Sequence, residues 1–283
     1  MSKNKRQHYL PAFYLYNFTN ETQRAEASGR PRRDTKIHHY DFAKSCLRER
    51  PIGKVAVEPY LLSHKKLDGS YNHSLDNEMQ VVENKAAASI TELNNILEFA
   101  LRKKPMSVEI NNSIMDNLLE LLFWQIKRHP DIVKEMEIDC EKYLTEKGNA
   151  AHHAKEMALQ VIENIGKEGE YDIKNELNKK NKIIVCTSTK QAHFITTDKP
   201  FVRFNKSGRN GIRIKNTEMY FPITSNMLLF MHNNGNRKEF RLESHRNFLR
   251  KININIAKSR SNFLFGKSDR YLEKIHQIMT KNG

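Results

Sequence analysis

The stretch SLDNEMQVVENKAAASITELNNILEFAL (Ser74–Leu101) decides the architecture, because it is where the spacing of apolar residues changes. Met79, Val82, Ala86, Ile90, Leu93, Leu97 and Leu101 recur at three and four residues, which lines them along one stripe of an α-helix. Ser74 suits the N-cap, with Asp76 and Glu78 facing the positive end of the helix dipole. The period resumes from Val108 to about Lys127 through Ile110, Ile114, Leu118, Leu122 and Ile126, and Pro130 stops it. Asp131 is expected to cap a third helix, which Gly148 and Asn149 separate from a fourth running from Ala150 to about Ile165. The middle of the chain therefore reads as a layer of antiparallel helices.

On both sides the pattern is that of strands. KIHHYDF (Lys36–Phe42) and GKVAVEPYLL (Gly53–Leu62) are short and rich in β-branched or aromatic residues, and the polar stretch TNETQRAEASGRPRRD before them reads as a loop. After the helices, KIIVCTST and QAHFITT are spaced for a hairpin, followed by EMYFPIT, NMLLFMH and KEFRL, with HNNGNRK as a turn. A helix is expected from Glu243 to Ala257, then a strand in NFLFG and a last helix near Tyr271 to Met279. The expectation is one α+β domain: an N-terminal motif with short strands over 1–70, a helical layer over 74–166, a strand-rich part over 182–241 and C-terminal helices over 243–283. Its sheet is expected to be small and mostly antiparallel.

With 48 Lys plus Arg against 33 Asp plus Glu, the net charge is +15, which attracts polyanions such as nucleic acid or an anionic membrane surface and by itself names no partner. Cys46, Cys140 and Cys186 are widely spaced and form no C-x-x-C pair, so neither a disulfide framework nor a zinc ribbon is indicated. No apolar run approaches the roughly 20 residues that cross a bilayer, and no apolar stretch follows the basic N-terminus; the expectation is a cytoplasmic protein without a membrane partner. A Gly-rich phosphate loop and a G-x-S-x-G elbow are both missing.

Six short motifs in order, QHYLPAFYLYNF, VAVEPY, NEMQVVENKAA, FWQIKRHP, FITTDKPF and YFPIT, resemble the bacterial family called domain of unknown function 4238, over about residues 6 to 260. Carried over residue by residue, the family pattern falls on His8 and Pro11, Glu58, Glu83, Gln125 and Arg128, and Asp198. The family's usual Ser-Asp-Asn-Pro reads here as Thr197-Asp198-Lys199-Pro200, which removes the amide side chain and leaves Asp198 in place. The lineage of the resemblance implies a bacterial defence or toxin effector.

If the fold gathers these residues in one cleft, they suit phosphodiester hydrolysis. Glu58, Glu83 and Asp198 are hard oxygen ligands for Mg²⁺ or Mn²⁺, His8 can accept a proton near neutral pH, and Arg128 can fork onto a phosphate beside Gln125. A metal-dependent nuclease acting on RNA or DNA is the expectation. The alternative is a non-catalytic module that binds nucleic acid or a protein, with the same side chains forming a buried polar network. In that case His8 bonds the turn at Pro11, Glu83 and Arg128 form an ion pair between helices, Glu58 pairs with a lysine, and Asp198 is a turn residue. The aromatics Phe13, Tyr14, Tyr16 and Phe18 are expected in the core. His38–His39 and His152–His153 are adjacent pairs; on a strand such neighbours face opposite sides, and His152 with Glu156 lacks a metalloprotease pattern.

Overall fold

A computed structural model describes residues 6–103, 108, 110–165, 173–187, 193–243, 245–259 and 262–281. The chain is α+β, with helices and small, mostly antiparallel sheets. The ends of the expected strands KIIVCTST and QAHFITT lie outside the described residues. No helix among those residues is long and apolar enough to cross a membrane.

The helical stripe is realised as Ser74–Lys103, which buries Met79, Ala86, Ile90, Leu93 and Leu97. Ser74 is its first residue and not its cap: the Ser74 N–H goes to the Asn72 side-chain oxygen at 2.9 Å. The second helix, Asn112–Lys127, starts four residues later than the apolar period suggests, because the Asn111 side chain takes the Ser113 N–H and fixes the N-terminus there. The third, Pro130–Glu146, is capped by His129, whose Nδ1 accepts from the Asp131 N–H at 3.2 Å; Pro130 is its first residue. Asp131 therefore stands in the first turn. After Gly148, at φ 71°, a short turn Ala151–His153 leads into the helix Ala154–Asn164, which packs back on Pro130–Glu146 through Cys140, Ala154 and Ala158.

A five-stranded sheet holds Lys180–Thr187 between Met227–Asn234, antiparallel, and Lys238–Glu243, parallel; Glu218–Thr224 and Val202–Phe204 complete the other side. Alternation along Lys180–Thr187 sends Ile184 and Cys186 into a core with the long helices, and Ile183 and Val185 into a second core with the C-terminal helices Arg246–Lys258 and Asp269–Lys281. Both faces are covered, which is why this strand reads as a continuous apolar run.

One pairing expected from the sequence fails here. Among the described residues QAHFITT does not pair with KIIVCTST: there Thr196–Thr197 alone is a strand, and it pairs with Phe263–Gly266 in a four-stranded sheet with Lys36–Asp41 and Cys46–Pro51. Non-local pairing wins over chain proximity. The Asn-Gly step leads from Met227–Asn234 to Lys238–Glu243, which crosses to the far side of Lys180–Thr187. The chain passes so close to that strand that a Cβ on Gly235 would collide with the Asn181 side chain. In GKVAVEPYLL only Val57–Pro59 forms a strand.

Pro11 opens the helix Ala12–Tyr16, which pins the N-terminal segment against the sheets. Tyr14 and Phe18 are fully buried, Tyr14 lies parallel to Phe221 with centroids 5.9 Å apart, and its hydroxyl donates to the Pro222 carbonyl at 2.8 Å while meeting Thr196 Oγ1 at 2.7 Å. Tyr14→Phe strands both partners without water, so a loss of about 1–3 kcal/mol is expected, read in urea as a lower midpoint at unchanged slope.

Candidate polar site at the N-terminal strand

The strand Arg6–His8 runs antiparallel to Val57–Pro59, with Gln7 opposite Glu58 and His8 opposite Val57, and the Tyr9 N–H continues the ladder to the Ala56 carbonyl at 3.0 Å. Ala56 and Tyr60 flank the partner strand in left-handed conformations, φ 51° and 52°, a cost of roughly 1–2 kcal/mol each for residues with a Cβ. Tyr60 is braced by stacking on Tyr71, centroids 3.9 Å apart.

Gln7 turns inward. Its Oε1 accepts from the Leu62 N–H and its Nε2 donates to Ser63 Oγ, each at 2.7 Å, and Ser63 Oγ in turn meets His73 Nδ1 at 2.7 Å. Burial raises the Asp76 carboxyl above its ordinary value, while a hydrogen bond with Gln7 and the charges of His73 and Arg128 pull the other way. Gln7 thus fastens the strand to the start of the long helix.

Arg128 is the centre of a second set of bonds. It caps the C-terminus of Asn112–Lys127, its N–H going to the Trp124 carbonyl at 3.0 Å, and its side chain is only 1% exposed. Nη1 donates to Glu83 Oε1 at 2.7 Å. With the Gln125 amide turned to satisfy both its atoms, its oxygen accepts from Arg128 Nη2 and its nitrogen donates to the Tyr9 carbonyl at 3.1 Å. One guanidinium thereby joins the N-terminal strand to two helices.

His8 lies beside this network without closing it. Its Nδ1 is buried with no hydrogen-bond partner, and the turn at Pro11 carries no side-chain cap, so His8 does not hold that turn. Burial, then the positive charge of Arg128, lowers its pKa to about 4, against a weaker opposing hydrogen bond at Leu10. The ring is neutral at physiological pH.

The structure brings together four of the six residues singled out from the sequence: His8, Glu83, Gln125 and Arg128. Asp198 is buried, but its carboxylate receives the Asn262 N–H at 2.8 Å and faces the Phe263 N–H at 3.4 Å, which joins the loop before Phe263–Gly266 to the end of Thr196–Thr197. Burial, then the charges of Asp198, Glu58 and Asp131, raises the Tyr9 phenol, so Asp198 acts on the site through its charge. Glu58 is half-buried in a shallow depression with Arg6 and Lys54. Glu58, Glu83 and Asp198 are turned to separate partners or surfaces, and among the described residues no three His, Cys, Asp or Glu are grouped so that they could hold a metal ion.

Sequence reasoning missed Gln7, Tyr9, His129 and Lys199. His129 packs edge-on against Tyr9, centroids 5.6 Å apart, and Lys199 Nζ meets Asp131 Oδ2 at 2.9 Å. Lys199 thus ties the turn to the helix Pro130–Glu146, and its hydrogen bond holds Asp131 below the usual carboxylate range. The one available signal was His-Pro-Asp, which reads as a helix start with a capping histidine. Away from the site, Glu156 meets His153 at 3.2 Å and His64 at 3.7 Å, whereas His152 stacks on His153.

The chain belongs to the family described as Protein of unknown function (DUF4238), whose family model matches residues 6–270. No curated protein and no solved structure matches it.

Removing the Arg128 charge leaves Glu83 and Gln125 unpaired. Arg128→Met is expected to cost about 3 kcal/mol, the low end for breaking a buried pair, since the Glu83 side chain keeps 24% of its surface in solvent. Glu83→Leu combined with Arg128→Met recovers part of that loss, and a double-mutant cycle in urea checks the coupling.

Proposed function

We propose that this chain is a nucleic-acid-binding module in which the N-terminal polar network is a clamp. The observation that carries this reading is the commitment of Arg128: its guanidinium is buried and turned to Glu83 and Gln125, so the cation suited to a scissile phosphate is already spent inside the protein. Binding then rests on the surface cations. Arg24 and Arg32 lie over the Tyr16 ring at 4.9 and 5.4 Å from its centroid, the Arg33 carbonyl packs against Gly53, and Arg6 and Lys54 border the depression beside Val57–Pro59. This groups basic side chains around the clamped strand, and a net charge of +15 draws a polyanion to them.

A metal-independent hydrolase is the second reading, favoured by His8. Its Nδ1 has no partner, so an opening of the strand that brings water or a 2′-hydroxyl to the ring, and relieves the burial that lowers its pKa, would leave that nitrogen free to take up a proton. Glu83 and Arg128 would then orient the segment that carries it.

Both readings meet in one titration of labelled single-stranded RNA, single-stranded DNA and duplex DNA, with strand integrity followed in EDTA. The expected result is intact nucleic acid bound with a steep salt dependence, and a slope shallower by about 2–3 in Arg32→Gln/Arg33→Gln/Lys54→Gln, roughly one per lost phosphate contact. Equal affinity and slope in that variant would remove the binding face. Cleavage by the wild type that His8→Ala abolishes would replace the clamp by the hydrolase.

A further inference from the structure

Gln125, whose amide joins the N-terminal network, also lines a cavity of about 380 Å³ whose other walls lie outside that network. It is bounded by the end of Asn112–Lys127, the start of Pro130–Glu146 and the segment after Asp198. Its size lies at the small end of ligand pockets, roughly 300–1,000 Å³, which suits a single nucleotide and excludes a dinucleotide cofactor.

The lining has two characters. Ile126, Ile132 and Phe201 supply apolar walls, and Phe201 offers an aromatic face on which a planar base can stack. His129, Lys199 and Arg203 supply the polar part. Arg203 is exposed and has no ion-pair partner among the described residues, and Lys199 is held in place by Asp131 at 2.9 Å. His129 is 5% exposed. Its Nδ1 accepts the Asp131 N–H, which leaves the neutral ring's proton on Nε2, a donor without a protein partner among the described residues. Burial, the first cause, lowers the pKa of this ring, and Lys199 adds to that against Asp131. The same histidine caps a 17-residue helix whose positive end faces this region, so the helix favours an anion at the same place.

We infer that this cavity binds a nucleoside monophosphate, its phosphate held by Lys199, Arg203 and His129 Nε2–H and its base lying against Phe201 between Ile126 and Ile132. Arg203, without an ion-pair partner among the described residues, and the neutral His129 donor match a phosphate, with Lys199 shared between that phosphate and Asp131, and the apolar walls suit a flat organic group beyond it. This site is separate from the surface around Arg32, Arg33 and Lys54, and it does not depend on whether that surface binds a polymer.

The test is calorimetric titration of the full chain with AMP, adenosine and inorganic phosphate. AMP is expected to bind at least tenfold more tightly than either part, with Arg203→Gln/Lys199→Gln lowering its affinity tenfold or more and Ile132→Trp, which fills the cavity, abolishing binding. Circular dichroism confirms that these surface and mouth variants remain folded. Arg32→Gln/Arg33→Gln/Lys54→Gln is expected to bind AMP like the wild type, which separates failure of the nucleic-acid face from failure of the cavity. No AMP binding, or AMP binding indifferent to Ile132→Trp and to the loss of Lys199 and Arg203 charge, overturns the inference.

Discussion

The structure around the N-terminus depends on one buried charge. A guanidinium withdrawn from water must be met by acceptors at close range or the fold loses several kcal/mol, and Arg128 meets that demand with oxygens from Glu83 and Gln125. Because Gln125 also donates to the Tyr9 carbonyl, satisfying the charge fixes the position of the N-terminal strand. Gln7 adds an independent tie to Leu62 and Ser63, and Tyr14 secures the following turn against Pro222. The motifs QHYLP, NEMQVVEN and FWQIKRHP, far apart in the chain, are thus parts of one hydrogen-bonded assembly.

That assembly constrains the chemistry. Each carboxylate that could have held a metal has other work: Glu83 on Arg128, Asp198 on the backbone before Phe263, Glu58 in a depression with Arg6 and Lys54. His8 is the exception, a neutral ring with a buried, unbonded nitrogen in an otherwise closed network.

Much of this was legible in the residues. Long helices declare themselves because a 3.6-residue period repeated over many turns has no other explanation, and the strand at Ile183–Cys186 shows the unbroken apolarity of a strand buried on both faces. Helix starts were displaced by one to four residues because the capping groups are polar side chains outside the apolar pattern, Asn111 and His129. The expected hairpin failed because Thr196–Thr197 is recruited by Phe263–Gly266, a partner more than sixty residues away that no local signal indicates. At the site, His8, Glu83, Gln125 and Arg128 were found as residue types that carry chemistry. Their actual relation, Arg128 buried against Glu83, is the plainer of the two readings that the sequence allowed. His129 was missed because the cap was assigned to Asp131, and Lys199 because it stands where the family pattern has an asparagine and reads as a turn lysine.

The central claim is that the Arg128 network locks the strand Arg6–His8 into the fold, and amide hydrogen exchange at Tyr9, whose N–H bonds to the Ala56 carbonyl at 3.0 Å, measures it directly. In the wild type this amide is expected to exchange as slowly as the amides of the central strand Lys180–Thr187, and in Arg128→Met much faster than those amides, through local opening of the strand. Rapid exchange at Tyr9 in the wild type, or a slow rate that Arg128→Met leaves tied to the central strand, would contradict the account.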